Sequence, residues 1–191
     1  VLASSIGSLT NPNKLQNTFK RVKKSTITAS TITKYIECLE DAFLIESANR
    51  YDIKGKSYIG TPLKYYFMDM GLRNVRINFR QMEVTHAMEN VIYNELRMRG
   101  YRVDVGNLTI FEQGKNGITE KKQVEVDFIC NKGSKKYYIQ STYRLATEEK
   151  MAQEIRPFLK IHDSFKKIVI TSDTPRPYYN EDGILFMNVY D

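Results

Sequence analysis

Residues 123–142, QVEVDFICNKGSKKYYIQST, carry two acids on one strand-like run and a glutamine on the next, with an Asn-Lys-Gly-Ser turn between them. Side chains alternate along a strand, so Glu125 and Asp127 share one face and Val124, Val126 and Phe128 the other. On the second run Tyr138, Gln140 and Thr142 share a face. Paired in matching register, the runs bring Asp127, Gln140 and Thr142 together, and Glu89 reaches the same place from a preceding helix. Oxygen donors of this kind suit a hard cation such as Mg2+, which polarises a phosphodiester and generates hydroxide. Gln140 supplies only a neutral oxygen and Thr142 no charge, so two of the four positions are weak for that chemistry. Lys136 and Lys150 are the nearby cations that could replace a lysine at 142.

The elements that must position these groups are legible around them. THAMENVIYNELRMRG is a helix with Thr85 as its expected N-cap and Gly100 just past its end. Glu89 falls on one stripe with Ile92 and Leu96, toward the sheet, whereas His86 is expected to be exposed at the helix start. Strands are expected over Tyr101–Val105, near Leu108–Phe111, and over 123–130 and 136–142. Glu112 to Lys122, polar with two glycines, reads as a mobile loop. Thr147 caps a helix that Pro157 ends, KKIVITS is a buried strand, and ILFMNVY is a last strand. Tyr137, Tyr138 and Tyr143 are expected to pack on the sheet, with stacking on bases as the alternative.

The first half reads differently. Asn11-Pro12 is an N-cap followed by proline at the first helical position. Leu15, Phe19 and Val22 follow at helical spacing, and Lys20, Arg21, Lys23 and Lys24 close the helix. Ser30 or Thr31 caps a second helix with the stripe Ile32, Tyr35, Ile36, Leu39, Ala42 and Phe43. A β-hairpin with its turn at Asn49-Arg50 is expected next. Helix, helix, hairpin is the order of a winged helix-turn-helix module. The outward positions of the second helix, Thr33, Lys34, Glu37, Cys38, Glu40 and Asp41, include three acids, which phosphate repels, so base readout is not expected there. Gly55-Lys56-Ser57 ends like a P-loop, but Arg50 stands where the first glycine belongs.

The chain has 191 residues and a net charge of +7. Residues 1–84 hold 13 Lys and Arg against 7 Asp and Glu, whereas residues 85–191 hold 16 against 15. The basic surplus in the first half suits an acidic partner such as nucleic acid. Cys38 and Cys130, without a C-x-x-C, imply two partly buried free thiols, and neither a zinc site nor a disulfide framework. No apolar run of about 18 residues is present, so no membrane span is expected; the free thiols suit a reducing cytoplasm, which is the expected location.

The order of elements, with Glu89 on the first helix and Asp127 in a V-x-V-D-F strand, resembles the PD-(D/E)XK nuclease-like superfamily. The resemblance implies a site in which Glu89 is the helix acid, Asp127 the strand acid and Gln140 the Glu/Gln position, with Thr142 where lysine belongs. More narrowly, TITKYIECLEDAFLI, KYYFMDMGLRN, MENVIYNELRMRGYRVDVG, VEVDFIC, KKYYIQS and FKKIVITSD resemble the C-terminal region of prokaryotic AAA-type ATPases. That resemblance covers nearly all of residues 9–191. It implies an α+β/α/β chain, with a winged helix-turn-helix over residues 1–84 and a restriction-endonuclease-like αβββαβ domain with a mixed central sheet over 85–191. It also implies an ATPase domain upstream in the same chain, where ATP would bind, since no ATPase site lies within these residues.

The expected function is an accessory or regulatory region of an AAA-type ATPase, binding nucleic acid or a protein partner through a degenerate nuclease-like fold. Lys20, Arg21, Lys23 and Lys24 are the candidate nucleic-acid residues, with DNA as a candidate partner. Glu89, Asp127 and Gln140 are the candidate catalytic residues, and Asp127 and Glu89 the metal ligands if Mg2+ binds. The alternatives are an active Mg2+-dependent DNA endonuclease and a pure protein-interaction module. An oligomer is compatible with all three.

Overall fold

The computed structural model describes residues 1–80, 83–113 and 117–191. The chain divides into two compact units, one of residues 1–49 and 60–94, the other of residues 50–59 and 95–191. In chain order the elements are α1 (Pro12–Lys23), α2 (Ala29–Asp41), β1 (Ile45–Asp52), β2 (Ser57–Phe67), α3 (Met70–Arg76), α4 (Val84–Met98), β3 (Arg102–Gln113), β4 (Thr119–Lys132), β5 (Lys135–Ser141), α5 (Glu148–Ile155), β6 (Lys166–Thr171), β7 (Tyr178–Tyr179) and β8 (Leu185–Asn188). The architecture of the described residues is mixed α/β, with five α-helices and an eight-stranded mixed sheet.

In the first unit α1 begins as the sequence implies. Asn11 accepts the Lys14 N–H at 2.8 Å and Pro12 takes the first helical position, where its missing N–H costs nothing. The second helix starts earlier than expected. Thr28, not Ser30 or Thr31, is the N-cap, its hydroxyl accepting the Thr31 N–H at 3.2 Å from an extended backbone. Ile32 and Ile36 of α2 join Leu15, Ile45 and Tyr65 in the core. Tyr35 and Phe43, expected on the same stripe, are exposed. Phe43 lies beyond the helix end, at φ 54°, and the turn there carries its ring outward.

The β1–β2 connection is not at Asn49-Arg50, which lie inside β1, but over residues 53–56. Asp52 decides this: its carboxylate accepts the N–H groups of Lys54 and Gly55 at 3.1 and 3.0 Å, an Asx-type turn. Downstream, α4 begins at Val84, so Thr85 is inside it and does not cap it. Its end is as expected, with Gly100 at φ 79° and the Tyr101 N–H bonded back to Leu96 O at 3.0 Å.

The sheet order is β2-β1-β3-β4-β5-β6-β8-β7. In the second unit β1 runs parallel to β3 through Arg50, Tyr51 and Asp52, β3–β4–β5 is antiparallel, and β5, β6 and β8 are parallel. The two runs expected around Val105 and Leu108 are one strand, β3. The stretch expected as a mobile loop is largely strand: Phe111 pairs Lys121, Glu112 pairs Glu120 and Gln113 pairs Thr119. Only residues 114–116 of it lie outside the described residues. A ribbon with polar side chains on both faces has no hydrophobic alternation to mark it, yet its backbone pairs all the same. Leu108, Val126, Ile129, Tyr138, Val169 and Phe186 form the core under α5 and the turn after it. Thr147 caps α5 by accepting the Lys150 N–H, and the helix stops at Ile155 before Pro157. No helix among the described residues is long and apolar enough to cross a membrane.

Candidate functional site

Asp127 sits in a break of strand alternation. On β3 the step from Asp104 to Gly106 is two residues, but their partners on β4, Ile129 and Val126, are three apart. Asp127 and Phe128 therefore face the single residue Val105, a β-bulge, which re-aims side chains and raises the local twist. Val126 and Ile129 both enter the α5-side core, whereas Phe128, also fully buried, is outside that cluster. The strict alternation read from the sequence thus fails between 126 and 129. Gly106 makes room for the bulge: a Cβ there would lie 2.8 Å from Val126 Cβ and 3.2 Å from Ile129 Cδ1.

The bulge brings Asp127 against the end of β5. Its Oδ2 accepts the Ser141 N–H at 2.8 Å, and Gln140 Oε1 accepts the Asp127 N–H at 3.4 Å. The β4–β5 ladder proper ends at the Phe128–Ile139 pair. Side chains of Asp127 and Gln140 thus continue by side chain-to-backbone bonds what the ladder leaves off. Thr142 is buried, its N–H bonded to Ile170 O at 3.0 Å. A buried carboxylate with one oxygen on a backbone N–H, beside one neutral amide oxygen, is a poor donor set for Mg2+. Among the described residues no group of three or more His, Cys, Asp or Glu could hold a metal ion.

A polar cavity of about 390 Å³ borders Gln140; Lys122, Glu125, Gln153, Glu154 and Arg156 contribute to its wall. Its charges are largely matched. Lys150 Nζ lies 2.5 Å from Glu154 Oε1, and Arg156 Nε lies 3.1 Å from Glu112 Oε1. Lys136 stands over the rings of Tyr138 and Phe165, 4.9 and 5.2 Å from their centroids. Tyr138 itself is fully buried and donates to Asp163 Oδ2 at 2.6 Å, so its ring packs within the sheet.

Glu89 lies in the first unit and has its own partners. Its Oε1 accepts Lys64 Nζ at 2.9 Å and the Tyr66 hydroxyl at 2.7 Å. His86 Nδ1 is 3.8 Å from Oε2, and His86 Nε2 is 3.2 Å from Glu83 Oε2. Burial alone would raise the Glu89 carboxyl; His86, the Lys64 ammonium and the Tyr66 hydroxyl overcome it and hold the group below its ordinary range. The Glu89 carboxylate in turn raises His86, against the lowering effect of burial. His86 is half-buried, not exposed, because Gly7, at φ 72°, passes so close that no Cβ would fit beside the imidazole. Sequence reasoning missed Lys64 and Tyr66. Their signal was a lysine inside the apolar run LKYYF, two residues from Tyr66 and so on the same strand face.

Lys20, Arg21, Lys23 and Lys24 are all exposed at the end of α1. Lys20 and Lys24 border a hollow of about 470 Å³ with Gln16, Ser25, Thr26 and Ile27. The two cysteines are free, and Cys38 is exposed where partial burial was expected; Cys130 is buried.

An uncharacterized protein of Haemophilus influenzae is 36% identical over 193 residues, covering 100% of this chain and 43% of its own length. The uncharacterized protein MJ1544 of Methanocaldococcus jannaschii is 29% identical over 184 residues, 93% of this chain and 36% of its own length. The chain therefore spans less than half the length of these curated relatives. No solved structure gives a significant match. Residues 1–83 match a family described as a domain of unknown function (DUF8612). Residues 84–190, more than half of the chain, match the family described as a domain of unknown function (DUF4143), and the chain belongs to that family.

Proposed function

We propose that these 191 residues are the C-terminal accessory region of an AAA-type ATPase, a winged helix followed by a nuclease-like domain that contacts nucleic acid without cutting it. The order helix, helix, hairpin over α1, α2, β1 and β2 supports the winged-helix reading. The order α4, three strands, α5, strand supports the nuclease-like one. The observation that carries the non-cleaving assignment is the use of Asp127. Its carboxylate and the Gln140 amide tie β4 to β5, while the position where the nuclease motif has lysine is the buried Thr142. Lys150 is paired with Glu154 and Lys136 is seated over aromatic rings, which argues against either standing in for that lysine.

Contact with nucleic acid is assigned to phosphates, through the exposed end of α1. Of the outward residues of α2, Glu37 and Asp41 are exposed acids, which disfavours base readout by that helix. The test is a mobility shift on duplex DNA at low and at moderate salt, with the wild-type chain and Lys20→Ala/Lys24→Ala, and a parallel incubation of supercoiled DNA with Mg2+ or Mn2+. The expected result is binding that weakens steeply with salt and in the double variant, with no cleavage. Cleavage abolished by Asp127→Ala would establish the endonuclease alternative instead. No shift at low salt would leave a pure protein-interaction module.

A further inference from the structure

The first unit contains an apolar hollow of about 560 Å³ that the nucleic-acid reading leaves unused. Its walls come from residues 1–3, α1, α2, the start of β1, the end of β2 and α3, with Phe19, Ile32, Tyr35, Ile36, Leu72 and Arg76 among its lining. A cavity of this size is in the range that seats a ligand or the side chains of a partner. Along α2 and α3 its rim is open among the described residues. Tyr35 is 60% and Leu72 54% exposed. These two open apolar side chains line one hollow and are not scattered single residues.

Two features define what fits. The α2 wall runs from Ile32 to Leu39, eight residues and so roughly 10 Å from first to last, matching two turns of a second helix. The one charged side chain in the lining is Arg76, exposed in the last turn of α3, and no acidic group among the described residues pairs with it. A buried apolar stripe with one cation at its margin complements an apolar stripe with one acid at its margin.

We infer that this hollow docks an amphipathic α-helix of a protein partner, with apolar residues at i, i+3/i+4 and i+7 seated against α1, α2 and α3 and an Asp or Glu meeting Arg76. The inference stands whether or not the chain touches nucleic acid, because no residue of the basic run lines the hollow.

The test is fluorescence anisotropy with the 191-residue chain and two labelled probes. One is an Ala/Gln-based helical peptide with Leu at i, i+3, i+4 and i+7 and a Glu beside the stripe; the other has Lys for that Glu. The wild-type chain is expected to bind the Glu probe saturably and in preference to the Lys probe. Arg76→Glu should weaken the Glu probe about tenfold, as loss of one charge-assisted pair does, and should reverse the preference. Tyr35→Asp, at an exposed position, should weaken both probes while circular dichroism stays that of the wild type. Equal binding of the two probes by wild type and Arg76→Glu overturns the inference, as does no binding of either. So does saturable uptake of dodecanoate in place of peptide, or a dimer in sedimentation that Tyr35→Asp dissolves; these mean a lipid site and a self-association face.

Discussion

Replacing Glu89 by Gln separates a structural carboxylate from a catalytic one. Glu89 and Lys64 are both almost fully buried, 6% and 3% exposed, with 2.9 Å between Oε1 and Nζ. The Tyr66 hydroxyl is bound to the same oxygen, and the Tyr66 ring stacks on Tyr93 at 4.0 Å. Glutamine keeps the shape and an acceptor oxygen but removes the charge opposite a buried ammonium. Removing one partner of a buried pair costs about 3–5 kcal/mol; the acceptor that Gln retains puts the expected loss near the lower end. Followed by tyrosine fluorescence or circular dichroism in urea, with a slope of roughly 2 kcal/mol/M, that is a midpoint lowered by about 1.5 M. Lys64→Met/Glu89→Gln should recover part of the loss, since the buried ammonium is then gone. A Glu89→Gln variant as stable as the wild type, or more stable, would refute this account. That result would return Glu89 to the role of a strained active-site acid, because such acids are held at a cost to stability.

Other measurements follow from the same geometry. His86, raised above its ordinary value of 6.5 by Glu89, contributes stability that is complete below that value and lost as pH rises through the folded pKa; Glu89, held low, contributes stability lost as pH falls through its own folded pKa, below 4.5. Urea midpoints measured across pH should therefore fall on both sides, and His86→Gln should abolish the fall on the alkaline side. Gly106→Ala should destabilise the second unit by about 1–3 kcal/mol through overpacking against Val126 and Ile129; an unchanged melting curve would count against the bulge. Burial pushes the Cys130 thiol up to about 12, so a thiol reagent should titrate only Cys38 in the native chain and both cysteines in urea.

Several features of the fold were legible in local sequence because their physics is local. A helix N-cap depends on one side chain and an N–H two or three residues on, which is why Asn11 and Thr147 were found and why Thr28, masked by Ser30 and Thr31 as equally good capping residues, was not. Gly100 was found because a left-handed residue after a helix favours glycine. The ribbon formed by the ends of β3 and β4 was missed because backbone pairing holds it, with little apolar burial to leave a pattern.

The candidate site divides along the same line. The sequence alone determined which groups were available: one acid at Asp127, an amide at Gln140, a hydroxyl at Thr142, a basic run ending α1 and a basic surplus in the first half. Only the tertiary structure decided what each group is occupied with. Period-two alternation assumes an unbroken ladder, and whether a ladder carries a bulge depends on the neighbouring strand, here on Val105 opposite Asp127–Phe128 and on the room that Gly106 leaves beside it. The fate of Glu89 depends on Lys64 and Tyr66, 25 and 23 residues away in sequence and 2.9 and 2.7 Å away in space. A carboxylate is chemically the same in a catalytic site and in a buried ion pair. Its partners distinguish the two, and those partners are set by the folding of distant segments against each other.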